Sequence, residues 1–285
     1  MAAPAAGHNG VNATADALLR QRSVGQIRLR AGRRGTSTSI LDLSESGPLR
    51  LRLPRRTEGP CEAVLLNTAG GIACGDRFTV GAELEAGADL VLTSVAAEKI
   101  YRSDGPVTRV ATGLTLGAGA RLAFLPQETI LFDGARLSRS FEAELAEDAQ
   151  LLALELLVFG RAARAERIAS GHVEDRWRIR RGGRLVYADT LRLDGPISDR
   201  LDRVAIGGGA RAMATLVDAS PEAEGRIEAM RALIEEMAGV EAGASAWNGN
   251  LVARFLGRDP DAVRRAALQV LVGYRAAPMP RVWQA

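Results

Sequence analysis

From Gly25 to about Leu193 the chain alternates apolar and polar residues with a period of two, the pattern of strands that turn one face to a core. Leu49, Leu51 and Leu53 alternate with arginines, and Phe78, Val80, Ala82 and Leu84 alternate with Thr79, Gly81 and Glu83. Turn signals such as Gly-Gly, Asp-Gly and Gly-Ala-Gly separate the runs. The pattern also repeats. GAELEAGADLVLTS, GLTLGAGARLAFLP and FEAELAEDAQLLALE each read as a short strand, a small turn ending in alanine, and an apolar strand. The turn alanines are Ala88, Ala120 and Ala149, spaced by 32 and 29 residues. A helix-free period of about 30 residues predicts stacked β layers, solenoid-like or sandwich-like, each burying its neighbour's face. Similar hairpins that do not stack are the alternative.

Beyond about residue 205 the period changes. A strand from Met213 to Val217 leads into Ser220-Pro221, with Glu222 and Glu224 in the next turn, which is a helix start. Ile227, Met230, Leu233, Ile234 and Met237 share one face of a helix predicted over about 221–239. Leu251 to Leu256 is a short strand. Asp259-Pro260 opens a second helix over about 260–275, with Val263, Ala267, Val270, Leu271 and Tyr274 on its apolar face. The predicted fold is therefore mainly β: layers over about 25–205, then a small β-α-β-α segment with two helices over about 206–285. No linker separates the two parts, so 25–285 reads as one domain. Residues 1–24 show no periodicity and read as a disordered tail.

Composition narrows the function classes. Of 285 residues 47% are hydrophobic but only 4% aromatic, so the core is expected to consist of Leu, Val, Ile and Ala. No apolar run approaches the roughly 20 residues of a membrane helix; the longest, Leu151 to Phe159, carries Glu155 in its middle. The start of the chain lacks the basic and apolar regions of a secretory signal. Two cysteines, Cys61 and Cys74, cannot form a disulfide framework, and the cytoplasm is the expected compartment. The net charge is +3, yet Lys99 is the only lysine, and runs such as Arg176 to Arg180 place arginines on solvated strand faces. With no basic cluster interleaved with aromatics, nucleic acid is not an expected partner.

The Gly-rich stretch Asn67 to Asp76 ends in Gly75-Asp76-Arg77 and leads to a strand. A phosphate loop would end in Gly-Lys-Ser/Thr and lead to a helix. Gly70, Gly71 and Gly75 are accordingly read as a structural bend. Only His8, in the tail, and His172, read as lying in a turn, are available, so neither a His-based triad nor a His/Cys metal cage can be assembled. Cys74 is either a lone functional thiol or a space-filler. The unusual feature is acidic residues within apolar strands: Glu98, Glu128, Glu155 and Asp189. Buried carboxylates are costly unless paired, protonated or metal-bound. Each taken singly reads as outward-facing or paired with an arginine; several together allow an internal polar path.

Five segments then carry a resemblance: Asn67-Thr68-Ala69-Gly70-Gly71 through Gly75-Asp76; Ala97-Glu98-Lys99-Ile100-Tyr101-Arg102-Ser103; Leu125-Pro126-Gln127-Glu128-Thr129-Ile130-Leu131-Phe132; Phe159-Gly160-Arg161; and the terminal Pro280-Arg281-Val282-Trp283. In order and spacing they resemble the urease accessory protein UreD family, also called UreH. Ala73-Cys74 departs from the larger aliphatic and glycine residues common there. The resemblance implies a maturation chaperone that is not an enzyme. It would bind apo-urease directly, hold UreF, and through UreF recruit the GTPase UreG that brings nickel. It further implies a water-filled passage with nickel only in transit and no tightly bound cofactor. Transit roles carry over to Asp76, Glu98, Glu155 and Asp189, and to Glu128. Carboxylates and water exchange a divalent ion that a His/Cys cage would trap. Two rivals remain: a clamp that holds urease open without conducting metal, and an enzyme using Cys74 as nucleophile beside Asp76, for which no activating base is placed.

Overall fold

Period-two alternation puts every second side chain on one face of a strand, and two such faces closed on each other make the body of this protein. The computed structural model describes residues 22–54, 59–235 and 237–284; all but the last three residues of the expected tail over 1–24 lie outside them. The first strands are β1 (Val24–Arg34), β2 (Ser37–Ser46), β3 (Leu49–Arg52) and β4 (Cys61–Asn67). There follow β5 (Arg77–Leu84), β6 (Asp89–Ser94), β7 (Glu98–Ile100), β8 (Thr108–Leu116), β9 (Arg121–Leu125) and β10 (Thr129–Leu131). The body ends with β11 (Arg136–Leu145), β12 (Gln150–Phe159), β13 (Gly171–Arg181), β14 (Arg184–Gly195) and a short helix α1 (Ile197–Leu201).

Successive coils send one strand to each sheet. The seven-stranded sheet has the order β14-β13-β11-β8-β5-β1-β2; its members from β1 to β13 pair in parallel. Opposite it, β4, β6, β9 and β12 pair in parallel within the ten-stranded sheet, and β7, β10 and β12 form a short parallel rib beside them. Antiparallel strands β2, β3 and β14 flank the parallel centre. The architecture is thus solenoid-like and sandwich-like at once.

The repeat alanines explain how the coils stack. Ala88, Ala120 and Ala149 are each 0% exposed. Each closes the same turn, donating its N–H to the carbonyl three residues back, at 3.1, 3.0 and 3.2 Å. The carbonyls of Ala88 and Ala120 then accept from Arg121 and Gln150 of the next coil at 2.8 and 2.9 Å. A corner with no free volume and a fixed hydrogen-bond ladder admits only a methyl group.

The C-terminal segment extends the ten-stranded sheet through β15 (Ala212–Ala219), β17 (Asn250–Gly257) and β16 (Val240–Trp247), antiparallel throughout. Strand β16 is an addition to the expected β-α-β-α order. It joins β17 across Asn248-Gly249, both at positive φ (50° and 75°), the two-residue turn that favours Asn-Gly. Helix α3 (Pro260–Arg275) occupies its predicted span, capped by the Asp259 carboxylate at the N–H of Asp261. Helix α2 is shorter than the expected 221–239 and covers only Ile227–Ile234. Residues 221–226 instead close tight turns and a one-turn 3-10 helix. Gly225 weakens helix propensity there, and Arg226 is drawn to the Asp218 carboxylate (3.3 Å) and stacked 3.6 Å from the Tyr274 ring.

Two apolar cores result. One lies between the sheets and includes Ile27, Leu84, Leu92, Leu116 and Phe159. The other lies between the ten-stranded sheet and α2 and α3, with Leu156, Met230, Phe255, Val270 and Leu271. The C-terminus returns to the body: Trp283 Nε1 donates to Thr93 Oγ1 (3.1 Å) and to the Leu125 carbonyl (3.2 Å). Among the described residues no helix is long and apolar enough to cross a membrane.

Candidate functional site

The inter-sheet core is not uniformly apolar. On β12, Glu155 is in phase with Leu151, Ala153, Leu157 and Phe159, all in the inter-sheet core, so its carboxylate points into the space between the sheets. A cavity of about 270 Å³ opens there, with Glu98, Glu155, Arg139 and Thr129 among its walls. A second, of about 20 Å³, holds room for about one water and is lined by Glu155, Asp175 and Asp189. Glu155 belongs to both. Three of the five carboxylates singled out in the sequence therefore line one or both of these cavities, and Asp175 joins them in the smaller.

Glu98, on β7, lines the larger of these two cavities. The Gly-rich bend positions it: Asn67 Nδ2 lies 3.1 and 3.2 Å from the two Glu98 carboxylate oxygens and 3.0 Å from the Gly71 carbonyl. The bend is pinned to β7 by hydrogen bonds from Ile72 N–H to the Lys99 carbonyl (2.7 Å) and from Tyr101 Oη to the Gly70 carbonyl (3.1 Å). Gly70 and Gly75 adopt φ of +75° and +77°. A Cβ on Gly71 would fall 2.4 Å from the Tyr101 ring. All three glycines are thus required by the backbone. Burial pushes the Glu98 carboxyl up to about 7, against the smaller opposing pulls of the Asn67 amide and of Lys99.

At the centre, Arg139 reaches across from the seven-stranded sheet. Its guanidinium donates to both Asp175 oxygens at 3.0 Å, to Thr129 Oγ1 at 3.2 Å, and pairs with Glu155 on the opposite sheet. Trp177 Nε1 adds a bond to Asp175 Oδ2 at 3.2 Å. At the far end Asp189 pairs with Arg254 and accepts from Tyr187 Oη (3.3 Å) and the Thr190 N–H (2.8 Å). Its side chain is 35% exposed, so the smaller cavity lies near solvent. Burial, together with the Asp189 charge, pushes the Tyr187 hydroxyl up to about 12.

Asp76 and Glu128, expected with the others, lie elsewhere. Asp76 is buried, but its carboxylate accepts from the N–H groups of Ser23 (2.7 Å) and Ala73 (2.8 Å). It is tied up in bracing the start of β1 against the bend. Glu128 lies on the other side of the ten-stranded sheet, in a separate cavity of about 510 Å³ beside the start of α3. Arg264 Nε approaches its Oε2 at 3.5 Å. The reason is a break in the predicted strand: Pro126 to Glu128 separate β9 from β10, which resets the alternation.

His172 lies within β13 and not in a turn; it pairs with Asp194 on β14. Cys61 and Cys74 are both free thiols, and Cys74 Sγ donates to the Asp104 carboxylate at 3.0 Å. Among the described residues no three His, Cys, Asp or Glu side chains converge on a metal-sized site. The residues that sequence reasoning passed over are Arg139 and Asp175. Both were open to the period-two argument: Arg139 is in phase with Leu137 and Phe141, Asp175 with Val173 and Trp177.

Comparison with known proteins agrees with the motifs. Residues 23–284 match the family described as UreD urease accessory protein. Urease accessory protein UreD 1 of Methylobacterium radiotolerans is 63% identical over 271 residues, covering 93% of each chain. Urease accessory protein UreD of another Methylobacterium strain is 60% identical over 93% of this chain and 96% of its own. The protein of that name from Azorhizobium caulinodans is 50% identical over 93% and 97%. The chain belongs to the UreD family of urease accessory proteins.

Proposed function

We propose that this chain is a non-catalytic accessory protein of urease maturation, and that the space between its two sheets is a passage through which nickel moves toward apo-urease. Its relatives are named urease accessory proteins, which supports the maturation role. The observation that carries the passage is that Glu98 and Glu155 line one inter-sheet cavity and Glu155, Asp175 and Asp189 line its neighbour. Oxygen ligands spaced along a wet route hand a divalent ion from one to the next without a deep well, because no position offers a soft or complete coordination shell. Family membership further supports binding to apo-urease and to UreF, and through UreF to the GTPase UreG, with the chain acting in the cytoplasm.

A second reading has a specific observation behind it. Glu155 and Asp189 each pair with an arginine, as purely structural carboxylates do, which favours a clamp that holds urease open without conducting metal. Reconstitution separates the two. Apo-urease, nickel, bicarbonate and GTP are combined with UreF, UreG and either this chain or its Glu155→Gln or Asp189→Asn variant. A passage requires lower urease activity and lower nickel content while the complex still assembles. Normal activation by both variants would leave the clamp.

A further inference from the structure

At the boundary between the two inter-sheet cavities stands one cationic side chain. Arg139 and Asp175 face each other in register on neighbouring parallel strands, and Glu155 approaches from the opposite sheet. The side chains are 14%, 2% and 12% exposed, so the trio is screened little by water. We propose that Arg139 is the gate of the passage: its guanidinium is the resting occupant of the Glu155–Asp175 pair, and a divalent ion passes only by exchanging with it. The proposal rests on the passage reading above.

The charges require the exchange. Two carboxylates balance either one divalent ion or, with one negative charge left over, one guanidinium; they do not balance both. A metal ion arriving from Glu98 therefore meets a cation where its next ligands should be. Swinging aside, Arg139 leaves two carboxylate ligands, with Thr129 Oγ1 and water to complete the shell. The larger cavity, which Arg139 already lines, gives the displaced side chain room. Because the guanidinium is covalently tethered, it returns and competes the ion off toward Asp189. The same residue thus keeps the resting route shut and keeps the pair from becoming a trap.

The test measures nickel retention by the full-length chain in equilibrium dialysis, with thermal unfolding alongside. With Arg139→Gln the pair loses its competitor, and we expect at least about tenfold tighter retention of Ni²⁺ than in the wild type. The gain should vanish in the Arg139→Gln/Glu155→Gln double variant. Added Ni²⁺ should raise the Tm of Arg139→Gln and leave the wild type unmoved. Arg139→Lys keeps the charge but not the two-pronged contact; it should fold without metal and show an intermediate affinity. Folded Arg139→Lys and Arg139→Gln chains that retain no more Ni²⁺ than the wild type, and gain no Tm from it, overturn the gate. If Arg139→Gln folds only when Ni²⁺ is added, the gate is supported. Unchanged retention in the arginine variants, together with lost urease activation by Glu155→Gln, sinks the gate and spares the passage. Gained retention with normal activation by Glu155→Gln sinks the passage and the gate with it.

Discussion

Replacing Glu98 by Gln should change how the stability of the fold depends on pH. In the unfolded chain a glutamate titrates near 4.5, whereas in the folded protein burial moves Glu98 to about 7. Below pH 4.5 the carboxyl is protonated in both states and costs nothing. Between 4.5 and about 7 the folded state binds the proton more tightly than the unfolded state, so stability declines as pH rises, and the loss is complete above the folded pKa. At about 1.4 kcal/mol per pH unit the span corresponds to about 3 kcal/mol, an upper bound because the partly exposed side chain retains some hydration. Gln keeps the shape, cannot titrate, and still accepts one bond from Asn67. Urea unfolding of both proteins at pH 5 and pH 8 is the assay. The wild type should lose up to about 2.5 kcal/mol more than Glu98→Gln over that interval, the remainder having been lost below pH 5. Parallel stability curves would mean that the Glu98 carboxylate is well hydrated, and that the cavity beside it is open to bulk solvent.

Three further outcomes follow from the geometry. Asp76→Ala removes the buried carboxylate that accepts from the N–H groups of Ser23 and Ala73 and should destabilise by about 1–3 kcal/mol in thermal unfolding; a loss within about 0.5 kcal/mol of zero would mean that Asp76 does not brace the start of β1. Ala120→Leu overfills a closed coil corner and should cost at least about 1–3 kcal/mol by urea denaturation, whereas Arg121→Leu next to it should fall within about 0.5. Trp283→Ala removes a buried ring and its two hydrogen bonds; a loss of about 3–5 kcal/mol and faster proteolysis of the last residues are expected, and an unchanged digestion pattern would refute the docking of the C-terminus.

Much of this fold could be read along the chain because its rules are local. Alternation predicts strands wherever one face is buried, and the alanines recurring at Ala88, Ala120 and Ala149 marked the corners before any coordinates. Glu98, Glu155 and Asp189 stood out because a carboxylate amid leucines or valines has no cheap explanation. Arg139 and Asp175 did not, since polar neighbours (Ser138 and Ser140, Glu174 and Arg176) disguise them; only the phase of Leu137, Phe141, Val173 and Trp177 reveals that they point inward. Strand β16 is small and nearly featureless, and its best signal was the Asn248-Gly249 turn. Asp76 and Glu128 lie apart from the other carboxylates for reasons that local pattern does not carry. Whether a buried carboxylate meets an N–H group from another segment, as Asp76 meets Ser23, or which side of a sheet follows a proline break, is fixed by tertiary contacts.

The return of the C-terminus to the body has a temporal side. Trp283 is bonded to a residue 190 positions earlier, and the Val282 carbonyl accepts from Gln127 Nε2 at 2.8 Å. Gln127 and its neighbour Pro126 belong to the wall of the larger inter-sheet cavity. Because a chain is made from its N-terminus and its coils form as they emerge, the stacked layers can assemble during synthesis. Their wall, however, is also fastened by Val282 and Trp283, which follow every described strand in the chain. A chain cut before Val282 would thus contain every described strand and every carboxylate lining the inter-sheet cavities, and still lack this latch on one side of them.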